Sequence, residues 1–199
     1  MSIIDISMRL SSTTACWPGD TPFDYEASLI KSESGVVHVG KIEISTYLDA
    51  PFHFVEQVEK VHEMPLDCCI SKAVVINCTA KDEIGEEDVI PHLNQEDITS
   101  VLLKICHWDH CQPIPSSIPL IRNTLPLRLA EFGISLIGVG LPSVDAIDSI
   151  NLPIQRALYK NGIWILEGIV LDHVNLGIYN SLSFRSWLTE QMEILYELS

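Results

Sequence analysis

The sequence predicts a single α/β domain over residues 1–199, with a mixed β-sheet flanked by helices. A length of 199 residues lies within reach of one domain, and 47% apolar residues supply a sizeable core. The apolar run at 101–105 is typical of a strand buried in a parallel sheet. A helical pattern at 122–132 and a second apolar run at 134–139 follow it. This strand-helix-strand order is the basis of the α/β prediction.

Local signals add further elements. Residues 3–7 form a short segment rich in β-branched side chains, which predicts a first strand. Residues 25–50 predict further strands around a turn at 32–35. Pro126 is expected in the first turn of its helix, because a proline there loses no helical hydrogen bond. Gly133 is expected to end that helix.

Composition narrows the possible partners. The formal net charge is −15, whereas nucleic acids and anionic membranes attract proteins with a positive field, so neither is an expected partner. No stretch approaches the ~20 apolar residues that span a bilayer. The N-terminus has no basic region followed by an apolar run, and the six cysteines lack the spacing of a disulfide framework. We therefore expect a cytoplasmic protein with free thiols and a small-molecule substrate.

A run of polar side chains lies within the otherwise apolar stretch 43–54. Four of them fall on every second position: Glu43, Ser45, Tyr47 and Asp49. If the chain is extended through Ala50, these four share one face of a strand. Pro51 removes a backbone donor and is expected to end the strand, which places His53 on the following turn. The pattern indicates a functional site rather than packing.

The motif T-x-x-D-A-P-x-H-F at 46–54 resembles the core of the cyclase family, which includes bacterial kynurenine formamidases and isatin hydrolases. The family pattern is H-x-G-T-H-x-D-x-P-x-H. Four residues match it: Thr46, Asp49, Pro51 and His53. Glu43 and Tyr47 stand where the family has two metal-binding histidines. The resemblance implies a partly barrel-like sheet of the swivelling β/β/α type and a homo-oligomer, either a dimer or a tetramer.

Later segments extend the resemblance over most of residues 1–180. Residues 142–145 match the family's P-S-V-D segment. Residues 152–158 resemble L-P-x-H-x-x-L, with Gln155 in place of another metal-binding histidine. Residues 162–168 resemble the G-I-x-I-L-E-G/N strand and keep Glu167, the counterpart of a metal-binding glutamate.

The resemblance also implies roles for these residues. In the family, paired metals share an aspartate and a histidine moves protons. Asp49 and Glu167 would then be metal ligands and His53 the acid or base, with Glu43 and Gln155 as further oxygen donors. Because such donors suit magnesium or manganese better than zinc, one of these two ions is expected if any metal binds. Without a cation the site would be a cluster of coupled acids.

Aromatic residues are the expected substrate contacts. Residues 17–23 resemble the W-P-G-D-x-x-F segment of kynurenine formamidases, which implies that Trp17 lines the substrate pocket; a half-buried loop anchor is the alternative. Tyr47 is expected to hydrogen-bond the substrate, or else an acid of the site, since a phenol with a pKa near ~10 coordinates a metal poorly.

A second group of ligand-type side chains, C-H-W-D-H-C at 106–111, is not expected to bind metal. Structural zinc sites use two separated ligand pairs, and here all the ligands would come from one short turn.

Two classes of function follow. The first is a metal-assisted hydrolase that cleaves an amide, lactone or ester-like bond in a small aromatic or cyclic substrate. The second is a divergent metal-independent lyase or cyclase, or a small-molecule binding protein, because the family's metal-binding histidines are replaced.

Overall fold

The computed structural model describes residues 4–8, 25–32, 35–42, 47–51, 54–55, 58–95, 97–105 and 118–183. Trp17, Glu43, His53 and the segment 106–111 lie outside these residues.

Within the described residues the strands are, in chain order, β1 (Tyr25–Ser32), β2 (Gly35–Ile42), β3 (Tyr47–Asp49), β4 (Ile70–Asn77), β5 (Glu83–Ile84), β6 (Ser100–Lys104), β7 (Leu120–Ile121), β8 (Leu136–Val139), β9 (Trp164–Glu167) and β10 (Gly177–Leu182). The α-helices are α1 (Leu66–Cys69), α2 (Glu86–Val89), α3 (Leu125–Glu131) and α4 (Pro153–Lys160). None of the helices described is long and apolar enough to cross a membrane.

The main sheet has six strands in the order β10-β4-β6-β8-β9-β3. The four inner strands run parallel to one another, and the edge strands β10 and β3 are antiparallel to their neighbours. Strand β8 is buried along its whole length, as expected for a parallel strand that is covered on both faces. Strands β1 and β2 form an antiparallel hairpin, and β5 pairs with β7 in parallel. The predicted α/β class and mixed sheet are confirmed.

Two apolar clusters cover the two faces of this sheet. On one face, α2, α3 and α4 contribute buried side chains such as Val89, Leu129 and Leu158. On the other face, α1 and the N-terminal segment contribute Cys68 and Ile6. Neighbouring residues of one strand enter opposite clusters because successive side chains point to opposite faces.

Several local predictions are confirmed, and one is wrong. Pro126 lies in the first turn of α3, and Gly133 follows that helix in the left-handed conformation with φ of 75°. The strand expected at 3–7 is not seen in residues 4–8. The backbone of Ile6 accepts one hydrogen bond, from the Val170 N–H at 2.8 Å, while its side chain is buried. The β-branched side chains there serve packing rather than a ladder.

Strand β3 ends one residue earlier than expected, at Asp49 rather than Ala50. The carbonyl oxygen of Pro51 accepts the N–H groups of Phe54 and Val55 at 3.1 and 2.9 Å. The chain therefore turns away from the sheet directly after Asp49 and Ala50.

Candidate active site

The candidate site lies where β3 meets β9. In this antiparallel pair Tyr47 is opposite Glu167, and Asp49 is opposite Ile165. Ile165 belongs to the cluster beneath the helices, so Asp49 and Glu167 lie on that same face. They are diagonal neighbours, with Cα atoms roughly 7 Å apart. The register thus brings two acids together at the edge of the sheet.

Both acids are almost completely buried, with Asp49 and Glu167 each 1% exposed. A buried carboxylate loses its hydration, and that loss is tolerable only where hydrogen-bond donors or cations replace the water. The neighbouring segments provide such donors.

Gln155 provides a donor to Asp49 from the first turn of α4. Its Nε2 atom lies 2.6 Å from Asp49 Oδ2. Because an ionised carboxylate can only accept hydrogen bonds, the amide nitrogen must face it. The Oε1 atom of the same amide is buried and has no hydrogen-bond partner.

Glu167 is held by the loop that follows β8. Its Oε1 atom accepts the backbone N–H of Val144 at 3.0 Å. This loop is the P-S-V-D segment at 142–145, and it crosses the end of β9 where Glu167 is located.

The next residue of that loop, Asp145, fixes the start of α4. Its two carboxylate oxygens accept the N–H groups of Ile154 and Gln155, each at 2.9 Å. The residue before the helix, Leu152, offers no side-chain cap and is left-handed with φ of 46°. Asp145 therefore caps the N-terminus of α4, although it is distant in sequence from the cap position. The same hydrogen bonds hold Gln155 next to Asp49.

Helix α4 makes a second attachment to the segment that follows β3. Tyr159, one turn beyond Gln155, donates from Oη to Glu59 Oε2 at 3.1 Å. Its ring meets Phe54 edge to face, with centroids 6.4 Å apart. Burial, followed by the hydrogen bond to Glu59, raises the pKa of the Tyr159 phenol. Two side chains of one helix face thus hold the chain on both sides of the turn after Asp49.

The structure brings together part of the predicted site. Asp49 and Gln155 are in direct contact, and Glu167 joins them across the β3–β9 ladder, where it pairs with the backbone of Tyr47. Trp17, Glu43 and His53 lie outside the described residues, so their predicted roles stay predictions.

The role of Asp145 was not predicted from the sequence. A signal for it exists in the sequence, because Leu152 precedes the first helical residue, Pro153, so the cap position carries no Ser, Thr, Asp or Asn. A helix without a local cap requires an acceptor from elsewhere.

The candidate donor atoms of Asp49, Glu167 and Gln155 that could face a cation are oxygens. Among the residues the structure describes, no three His, Cys, Asp or Glu side chains form a group able to hold a metal. Two carboxylates and the unpartnered oxygen of Gln155 have the chemistry that magnesium or manganese prefers, and they lack the nitrogen and sulfur ligands typical of zinc. The described residues therefore offer oxygen donors, but they do not form a complete metal site by themselves.

Comparison with known proteins identifies the family. The sequence model described as "Putative cyclase" matches residues 4–146. The chain is 38% identical to a kynurenine formamidase of Bacillus cytotoxicus over 191 residues, which cover 94% of this chain and 91% of that protein. It is 41% identical to a kynurenine formamidase of Geobacillus thermodenitrificans over 180 residues, covering 88% and 86%. The chain belongs to the cyclase family, and these relatives support the predicted hydrolase class.

Solved structures share the fold. One, described as a potential metal-dependent hydrolase with cyclase activity, has a TM-score of 0.76 at 17% identity and covers 99% of this chain and 96% of its own. Isatin hydrolase A from Labrenzia aggregata has a TM-score of 0.75 at 17% identity, covering 99% and 92%. At this level of identity the likeness supports the fold alone.

Proposed function

We propose that this chain hydrolyses a small aromatic or cyclic substrate at an amide bond, or at a lactone or ester-like bond. The observation that carries the proposal is the pair of buried carboxylates, Asp49 and Glu167, held on adjacent strands in a chain that is 38% identical to a kynurenine formamidase. Burying two acids costs folding free energy, so their presence in the core indicates a chemical role.

Asp49 and Glu167 would hold one divalent cation, magnesium or manganese in preference to zinc, with Glu43 and Gln155 as candidates to complete the set. Such an ion would supply Lewis acidity at the carbonyl group to be cleaved. Val144 and Gln155 orient the two carboxylates through the hydrogen bonds at 3.0 and 2.6 Å.

The other predicted residues would act on the substrate. His53 would take the proton from the attacking water and deliver it to the leaving amine or alcohol. In this hydrolysis the bond from the acyl carbon to nitrogen or oxygen breaks, and water supplies a hydroxyl to the carbon and a proton to the leaving group. Trp17 would stack on the substrate ring, and Tyr47 would contact its polar groups.

The test is a screen of formyl-aromatic amides, lactones and isatin-like imides with magnesium, manganese and zinc. We expect turnover with the harder ions, and a loss of about 10²–10⁴ in turnover for His53→Ala. Elemental analysis of the purified protein measures its metal content. One or two tightly held zinc ions per chain would overturn the metal assignment, and no turnover with any ion would overturn the hydrolase assignment.

A metal-independent lyase or cyclase, or a binding protein, is the second candidate. It is favoured by the replacement of histidines by Glu43, Tyr47 and Gln155. Activity or ligand binding that survives complete chelation would support it.

We also propose that the protein works in the cytoplasm as a homo-oligomer. The free thiols of Cys68, Cys69 and Cys78 support a reducing compartment, and the family resemblance supports the assembly. Light scattering coupled to size-exclusion chromatography measures the assembly, and a monomeric mass would contradict it.

A further inference from the structure

Tyr159 joins helix α4 to the segment that follows β3 through two different contacts. Its ring packs edge to face against Phe54, with centroids 6.4 Å apart, and its Oη donates to Glu59 Oε2 at 3.1 Å. Phe54 is buried in the apolar cluster beneath the helices, and Tyr159 packs against the same cluster. Burial, followed by the hydrogen bond to Glu59, raises the pKa of the Tyr159 phenol, so the hydroxyl stays protonated and remains a donor near neutral pH. The two contacts hold both ends of the stretch 54–59.

The same helix also holds the other side of the turn that leads into this stretch. Gln155 donates to Asp49 at 2.6 Å, and the carbonyl oxygen of Pro51 accepts the N–H of Phe54 at 3.1 Å. Gln155 and Tyr159 are four residues apart and therefore share one face of α4. The turn is thus attached to a single helix face before it, at Asp49, and after it, at Phe54.

His53 is the residue directly before Phe54 in the sequence. Neighbouring Cα atoms are about 3.8 Å apart across a trans peptide, so a displacement of Phe54 is passed on to His53. A group that transfers a proton depends on its position, and a misplacement of about 1 Å can cost about 10²-fold in rate. The contacts that hold Phe54 therefore bear on proton transfer by His53.

We propose that Tyr159 is a positioning residue for His53, because its contacts with Phe54 and Glu59 set the place of the proton-transfer group relative to the acid pair. The inference rests on the proposed hydrolase function and adds to it a residue that acts through His53. The ring contact carries the larger share of the effect. Phe54 is buried, whereas Glu59 is exposed to water that competes for its hydrogen bond.

Three variants separate the two contacts. Tyr159→Leu removes both of them, and Tyr159→Phe removes only the hydrogen bond to Glu59. Glu59→Gln is the conservative change, because its amide oxygen can still accept from Tyr159 Oη. The matched control is Tyr179→Phe, which removes a hydrogen bond from Tyr179 Oη to the carbonyl oxygen of Asn175 at 2.9 Å. Tyr179 lies on β10, at the opposite edge of the sheet from β3.

The first measurement is hydrolysis of formanilide in the presence of manganese, per folded molecule. We expect Tyr159→Leu to lower kcat about 10–100-fold with KM within about twofold of the parent, because the lost contacts act through His53. Tyr159→Phe should lose less than about tenfold. Glu59→Gln and Tyr179→Phe should match the parent. A raised KM with unchanged kcat in Tyr159→Leu would make Tyr159 a substrate contact and overturn the inference.

A double-mutant cycle tests whether the effect passes through His53. In the His53→Ala background, Tyr159→Leu should lower the remaining kcat by no more than about twofold, because the group it positions is already gone. An equal loss in both backgrounds would overturn the inference while leaving the hydrolase function intact.

Amide hydrogen exchange separates the inference from the hydrolase function, because it does not depend on turnover. The N–H groups of Phe54 and Val55 both donate to the Pro51 carbonyl, and their exchange should become at least about tenfold faster in Tyr159→Leu but not in Tyr179→Phe. Unchanged exchange would overturn the inference. Faster exchange in a protein that cleaves none of the screened substrates would support the hold of Tyr159 on this turn and contradict the hydrolase function.

Discussion

The carboxylates around Arg122 and those around Gln155 are stabilised in different ways. At the first group, Arg122 reaches three carboxylates on β5 and α2: Glu83 at 2.9 Å, Glu86 at 3.3 Å and Glu87 at 3.0 Å. Nearby, Lys81 lies 2.7 Å from Asp88. This group is exposed or half-buried, and cations balance part of its charge.

At the second group, neutral N–H groups donate to buried acids. Asp145 receives two backbone N–H groups, Glu167 receives one, and Asp49 receives the amide of Gln155. Neutral donors orient a carboxylate without cancelling its charge. The exposed group is held by charged side chains, whereas the hydrogen bonds described for the buried group come from backbone N–H groups and one amide.

Asp145 should show the largest effect on stability, because it is a structural member of the buried group. Asp145→Ala leaves two N–H groups of α4 without their acceptor, and we expect a loss of about 2–5 kcal/mol in the free energy of unfolding. Denaturant titration measures it, with the exposed Asp148→Ala as the matched control. Equal stabilities of the two variants would show that Asp145 does not hold the helix.

Substitution of Asp49 should reduce activity far more than stability. Asp49→Asn keeps an oxygen that can accept the amide of Gln155 but removes a buried charge. We expect unfolding free energy within about 1 kcal/mol of the parent, or above it. Turnover and manganese affinity should fall about 10²-fold or more. A variant that unfolds yet retains its activity per folded molecule would place Asp49 in the structural class with Asp145.

The lowered pKa values of carboxyls in the exposed group predict that acid reduces the free energy of unfolding. The N–H of Gly85, followed by Lys81, lowers the pKa of Asp88, and the backbone N–H of Glu87, followed by Arg122, lowers the pKa of Glu87. A carboxyl whose pKa is lowered by folding contributes stability above its unfolded pKa near ~4 and loses it as the pH falls through the lower folded value. Unfolding free energies from about pH 6 to about pH 2 measure the slope. Asp88→Asn should flatten it, and an unchanged slope would contradict this assignment.

Arg122 should show the smallest effect. Surface ion pairs contribute little, so Arg122→Met is expected to lower Tm only slightly, and less in high salt, where charges are screened. Arg128→Met, on the exposed surface of α3, is the control. A loss as large as that of Asp145→Ala would remove the distinction between the two groups.

The sequence predicted those parts of the fold that depend on local chemistry. Apolar runs located β6 and β8, and the backbone preferences of proline and glycine located the ends of α3. The strand expected at 3–7 failed because strand formation depends on a partner, and the segment packs its side chains instead.

The site was predicted less completely, for a related physical reason. The alternation after Glu43 and the family resemblance placed Asp49, Gln155 and Glu167. The contact between Gln155 and Asp49 joins residues 106 positions apart, and no local pattern reveals that the amide presents its nitrogen there. Helix propensities likewise give no sign that Asp145 caps α4, since it lies nine residues before Ile154.

The position of the short edge strand β3 in the sequence determines when, during synthesis on the ribosome, the candidate site can form. Within the described sheet β3 pairs with β9 alone, so Asp49 leaves the ribosome long before its partner strand exists. A shift of one residue in this pairing would turn Leu48 toward Gln155 and send Asp49 into the opposite apolar cluster. The register that completes the core therefore also completes the candidate site. A nascent chain brings Asp49 and Glu167 together only after β9 has been synthesised and the edge strand β3 has paired with it in the correct alignment.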